Sequence, residues 1–126
     1  TELNILDSAT VTTTELNYVA GVTSAIQTQI DTKATNLTPQ VITANTNAAV
    51  GNHYFLDSAG ITLTLPASPS TGDRIGITEL VGDTTSVIAG NGNNIMKDSA
   101  DLTIDTAYLI LQLAYTGDSS IGWAFA

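Results

Sequence analysis

The stretch "GITLTLPASPSTGDRIGITEL", Gly60 to Leu80, decides the fold class. Ile61, Leu63 and Leu65 alternate with Thr62 and Thr64, and Ile75 and Ile77 alternate with Gly76 and Thr78. A period of two puts the apolar side chains on one face of an extended chain, so both runs read as half-buried strands. Pro66 closes the first, and Pro69-Ser70-Thr71-Gly72-Asp73 supplies turn residues between the two.

Outward from this stretch the same grammar continues. "VITAN", "NHYFLDS" and "TTSVIAG" supply further short strands, and "IGWAFA" closes the chain with Ile121, Trp123 and Phe125 on one face. "AYLILQLAYT", Ala107 to Thr116, carries Leu109, Leu111 and Leu113 on one side and Tyr108, Ile110, Gln112 and Ala114 on the other. A strand apolar on both faces is central in a sandwich or turns one face to a neighbouring subunit. Asp57-Ser58-Ala59-Gly60, Gly90-Asn91-Gly92-Asn93-Asn94 and Thr116-Gly117-Asp118 read as turns, the second as a tight hairpin. Short strands at such spacing predict that 41–126 form a head that is mainly β, an antiparallel, jelly-roll-like β-sandwich.

The first forty residues follow another rule. Thr-Glu-Leu-Asn occurs at Thr1 and again at Thr14, opening two copies of a repeat. Two copies bury little surface alone, because each repeat needs a neighbour to stack on. Val19, Val22, Ile26 and Ile30 then stand at helical spacing along one stripe, and Ser24-Ala25-Ile26-Gln27 has the S-x-x-Q capping pattern. Pro39 disfavours helix at Thr38. A helix of about ten residues is marginal alone in water. Its narrow stripe suits a short coiled-coil seam between copies of the chain, so residues 1–40 read as a stalk that self-associates through those four residues; the alternative is that the helix folds back on its own head.

Composition narrows the function classes. The 126 residues are 43% hydrophobic and 12% charged, with three Lys or Arg against twelve Asp or Glu and a net charge of −9. Four acids and one Lys leave −3 over 1–40; eight acids and two bases leave −6 over 41–126. Neither half neutralises a phosphate backbone, which argues against nucleic-acid binding and against docking on an anionic membrane. There is no Cys, so disulfides and thiolate metal sites are excluded. No apolar run reaches the roughly 18 residues of a membrane-spanning helix, so membrane insertion is not expected. The chain begins at Thr1, not Met, which reads either as processing or as a further N-terminal part.

Catalysis finds little support. His53 is the single histidine, so one chain offers no multi-imidazole zinc site, and no G-x-S-x-G elbow surrounds a serine. Asp98, Asp101 and Asp105 lie among turn residues and lack the calcium-loop pattern. "GNGNN" lacks the helix and Lys of a phosphate loop. The expectation is a non-enzymatic protein with no metal or other cofactor. Sugars stack on aromatic rings, which makes Tyr54, Tyr108, Tyr115 and Trp123 relevant, although Trp123 alternates with Ile121 and Phe125 as core residues do. Asn52, Tyr54, Asn91 and Asn93, beside turns, are the candidates for receptor contact.

"LDSATVTTTELNYVAGVTSAIQTQIDTKAT" resembles the stalk segments of tail fibres and related virion appendages of tailed bacteriophages. Those stalks carry E-L-N-x-L-D-G-V-T followed by I-Q-x-Q-L-D-x-K. Glu2-Leu3-Asn4, Glu15-Leu16-Asn17, Val22-Thr23, Ile26-Gln27, Gln29, Asp31 and Lys33 match, with departures at Ser8, Ala20 and Ile30. Looser similarity extends to Ile61–Ile77 and Asn94–Thr106. The resemblance implies a homotrimer, located on the virion and extracellular after release. It also implies attachment to other tail proteins and a distal head that contacts a host-surface glycan or protein. Two other expectations remain open: a purely structural virion joint or decoration, and a carbohydrate-binding module of a secreted enzyme, which would be monomeric.

Overall fold

A computed structural model describes Thr12–Thr14, Ile26 and residues 36–126. The chain separates into two units, Thr1–Thr35 and Asn36–Ala126. Of the four seam residues, Val19, Val22 and Ile30 lie outside the described residues. Ile26 has helical backbone and is 50% exposed in the single chain.

The second unit is built from nine strands and no helix: β1 (Thr38–Ile42), β2 (Thr46–Asn47), β3 (Asn52–Leu56), β4 (Thr62–Thr64), β5 (Arg74–Glu79), β6 (Val87–Ala89), β7 (Leu102–Thr103), β8 (Ile110–Tyr115) and β9 (Trp123–Phe125). They form a five-stranded sheet, β1-β3-β5-β8-β9, and a four-stranded sheet, β2-β4-β6-β7. The mainly β expectation holds, and the strands read from Gly60–Leu80 appear as β4 and β5. The second unit begins at Asn36 and β1 at Thr38, so the head unit takes in 36–40, five residues read from the sequence as stalk.

The antiparallel, jelly-roll-like pairing does not hold. β1, β3 and β5 run parallel, as do β2, β4 and β6; antiparallel pairing is confined to β5-β8, β8-β9 and β6-β7. Through β6 each successive strand changes sheet, so the chain winds round its core in three coils. Thr38 pairs with Asn52 and His53 with Gly76 in one sheet, while Thr46 pairs with Leu63 and Thr62 with Val87 in the other. The turn at Ser70–Asp73 is real: the Asp73 N–H donates to the Ser70 carbonyl at 3.0 Å and the Ser70 N–H to Asp73 Oδ2 at 2.8 Å. It passes the chain between the sheets, not into a hairpin. Alternation says which side chains face inward, and it is silent on which strand lies alongside.

The inward residues of both sheets form one hydrophobic cluster, with Leu56, Ile75, Ile77, Leu113 and Trp123 from the larger sheet and Leu63 and Ile88 from the smaller. Trp123 is fully buried, as its alternation predicted, and meets Tyr115 edge-on at 5.5 Å. Its Nε1–H has no partner.

Corners of successive coils are tied by polar side chains. The Thr62 N–H donates to Asn45 Oδ1, and the Gly60 N–H to Asp83 Oδ2, which also accepts from the Ser86 hydroxyl. Ser86 is buried, and its Oγ accepts from the Ile61 N–H. Hydrogen bonds from the Gly60 N–H and the Thr85 hydroxyl hold the Asp83 carboxyl far below the usual carboxylate range.

β1 forms one edge of the larger sheet. The Thr38 N–H donates to the Gly51 carbonyl, and the Ile42 carbonyl accepts from the Asp57 N–H. In a parallel ladder one residue's N–H and C=O point to the same neighbour, so Thr38, Gln40 and Ile42 bond toward β3 while Pro39 and Val41 face the free edge. Pro39 therefore stands where its missing N–H removes a donor from that edge.

Candidate functional site

The four receptor candidates do not converge on one surface. Tyr54 is 4% exposed and points into the core, and its hydroxyl accepts from the Ala49 N–H at 2.8 Å and from Asn52 Nδ2 at 3.2 Å. A ring so enclosed cannot stack on a sugar, which corrects that reading of Tyr54; Asn52 is its partner. Position 54 falls on the inward phase of β3, and that outweighs its nearness to a turn.

Asn91 and Asn93 are corner residues. Asn91 Nδ2 donates to the Leu65 carbonyl at 2.9 Å, and Asn93 Nδ2 to the carbonyls of Pro66 and Ala67 at 3.2 Å each. Their amide donors thus serve the fold. The tight turn expected here is present: Asn91 and Gly92 have φ of 53° and 86°, and the Asn93 N–H donates to the Gly90 carbonyl at 3.0 Å. It sits within the longer β6–β7 connection and does not close a hairpin.

Of the two exposed aromatics among the described residues, Phe125 at 54% and Tyr108 at 65%, Tyr108 is the more exposed. Its backbone has φ of 57°, a left-handed conformation that costs free energy for a bulky residue and persists only where the surroundings impose it. Glu79 imposes it. This carboxylate is buried at the end of β5, and Oε2 accepts from the Tyr108 N–H at 3.0 Å and the Gly82 N–H at 2.8 Å, while Oε1 accepts from the Val81 N–H at 2.7 Å. Burial raises the Glu79 pKa; N–H groups of Tyr108, Val81, Asp83 and Gly82 outweigh it and lower the pKa overall.

The ring of Tyr108 lies against Gly82, where an added Cβ would meet its hydroxyl end at 3.1 Å. Leu80 and Val81, on the same turn, are exposed. The product is an exposed aromatic residue whose backbone is held by a buried carboxylate, next to a turn that exposes Leu80 and Val81. Such a surface can stack on the apolar face of a sugar or clamp a peptide side chain. Sequence reasoning ran Tyr108 into a strand; no Gly or Asn marks the left-handed position, and the Glu that enforces it lies 29 residues away.

His53 has a structural place. Nε2 lies 2.7 Å from Thr78 Oγ1, the ring stacks on Phe55 at 4.7 Å, and burial lowers its pKa. Asp98 accepts from the Ala100 N–H, Asp101 from the Gly90 N–H and Asp105 from the Thr106 hydroxyl, as turn acids do. Among the described residues no group of three His, Cys, Asp or Glu is placed to hold a metal ion, and no helix is long and apolar enough to cross a membrane.

A second surface is the outer face of the larger sheet. Register assigns to it Pro39 and Val41 of β1, His53 and Phe55 of β3, Arg74, Gly76 and Thr78 of β5, Ile110, Gln112 and Ala114 of β8, and Ala124 of β9. Val41 is 66% and Ile110 71% exposed. No family model matches the chain, and no curated protein matches it.

Proposed function

We propose that this chain is the distal part of a bacteriophage tail fibre or similar virion appendage, a trimeric structural protein whose head contacts the host surface. The observation that carries the reading is the duplicated Thr-Glu-Leu-Asn repeat leading into the stripe Val19, Val22, Ile26 and Ile30. The half-exposed, helical Ile26 is consistent with a coiled-coil seam that sister chains would cover. The head, a two-sheet β-sandwich in this reading, presents Tyr108 on the bracket held by Glu79, where a cell-surface glycan or protein would dock. Three heads on one stalk would sum weak contacts through effective concentration.

A purely structural joint is the second reading. It is favoured by the involvement of Tyr54, Asn91 and Asn93 in the fold's own hydrogen bonds, which leaves Tyr108 to carry recognition.

Sedimentation equilibrium and host-cell binding test both. A mass three times 13.0 kDa, reduced by Val22→Asp with Ile26→Asp, supports the stalk, and a monomer at all concentrations refutes it. Cell binding lost in Tyr108→Ala at unchanged thermal stability supports recognition. Absence of binding to any host surface leaves the joint.

A further inference from the structure

We infer that the outer face of the five-stranded sheet is where heads of sister chains meet, turned toward the axis they share. The inference rests on the self-associating reading above and names the surface that the head contributes to it.

A sheet with one solvated face ordinarily alternates apolar inside with polar outside. Here one outward row breaks that alternation, while the neighbouring row carries His53 and Gln112. The row Val41–Phe55–Thr78–Ile110 crosses four strands with one polar residue, a threonine. At the β9 side Ala114 pairs with Ala124. Among the described residues nothing covers Val41 or Ile110.

Charge selects the occupant. The head carries eight acids, and none stands at an outward position of this sheet; the full positive charge there is Arg74. A basic partner would be met by carboxylates, and the outward positions of this sheet bring none. A second copy of a chain with net charge −9 needs the opposite: a patch where neither copy brings an acid toward the other.

Dimensions fit a closed assembly. Five strands span about 19 Å at ~4.8 Å per gap, so three such faces closed round an axis stand roughly 5.5 Å from it. That is close to the ~5 Å half-spacing of stacked sheets, so side chains of this size fill the interior. The face covers roughly 350 Å² for strands about 18 Å long. This is under half the ~800 Å² per partner of a stable interface, so it associates weakly unless the stalk tethers the copies.

Sedimentation equilibrium on the full chain, with Ile110→Lys and Ala124→Glu as variants, tests the inference. Thr106→Lys adds charge to an exposed loop as the control, and emission from Trp123, the single tryptophan, reports folding. Expected is an oligomer for wild type and control, and dissociation at least tenfold easier for either folded variant. An oligomer undiminished in both folded variants overturns the inference and leaves the stalk reading standing. A wild type that is monomeric at every concentration overturns both. If Ile110→Lys loses its native emission, dissociation of Ala124→Glu alone decides between these outcomes.

Discussion

Glu79 shows how one buried charge can organise a surface. Its carboxylate accepts from three backbone N–H groups, two in the 80–82 turn and one at Tyr108. Replacing it with Ala leaves those donors unpaired, at about 1–3 kcal/mol for each buried group. We expect Glu79→Ala to lose about 3 kcal/mol or more in urea titrations followed by Trp123 emission, with Tyr108 released from its left-handed backbone. Because the folded-state pKa lies below the ordinary 4.5, the contribution of Glu79 is complete above that value. It is lost as pH falls through the lowered folded pKa, so wild-type stability should fall on acidification below 4.5 and Glu79→Gln should flatten that slope. Gly76 is a second constrained position: an added Cβ would strike the His53 ring, which lies across it. Gly76→Ala is expected to displace His53 from Phe55 and Thr78 and to cost about 1–3 kcal/mol, read as a lower urea midpoint at unchanged slope.

At the scale of elements, the alternating runs were legible and their partners were not. Ile61–Leu65 and Ile75–Ile77 announce strands and inward faces, and Leu109, Leu111 and Leu113 separate correctly from Ile110, Gln112 and Ala114. β2 and β7, two residues each, carry no periodicity to read. The turn residues at 69–73 fit a hairpin or a corner equally, and the choice depends on whether the core is closed by the next strand or by the next coil. Tyr54 shows the same limit at the candidate site, since a turn nearby says little once a strand's phase has set the side chain inward. The corners depend on single polar side chains, so Asp83→Ala, which frees the Gly60 N–H and the hydroxyls of Thr85 and Ser86, should lower the melting temperature. Asn45→Ala, at the β1–β2 corner, should cost less, since it frees the Thr62 N–H alone.

For the whole molecule, winding has kinetic and assembly consequences. Each parallel pairing joins residues a full coil apart, so no contact between β1, β3 and β5 is local. Chains dominated by such pairings close long loops before any pairing rewards them, and they fold in milliseconds to seconds. On the two proposals above, association draws on both the stalk stripe and the outer sheet face, so variants at either should weaken the oligomer.

Pro39 bears on the length of such a molecule. A winding of parallel strands has no inherent terminus, because each new rung finds the same hydrogen-bonding template on the last one. By leaving the outermost strand one donor short, the imino acid acts as a stop mark: a foreign rung docking there loses a bond where it needs an unbroken row. Lengthening such a winding would therefore cost less by inserting rungs downstream of that stop mark, between existing ones, than by adding one ahead of it.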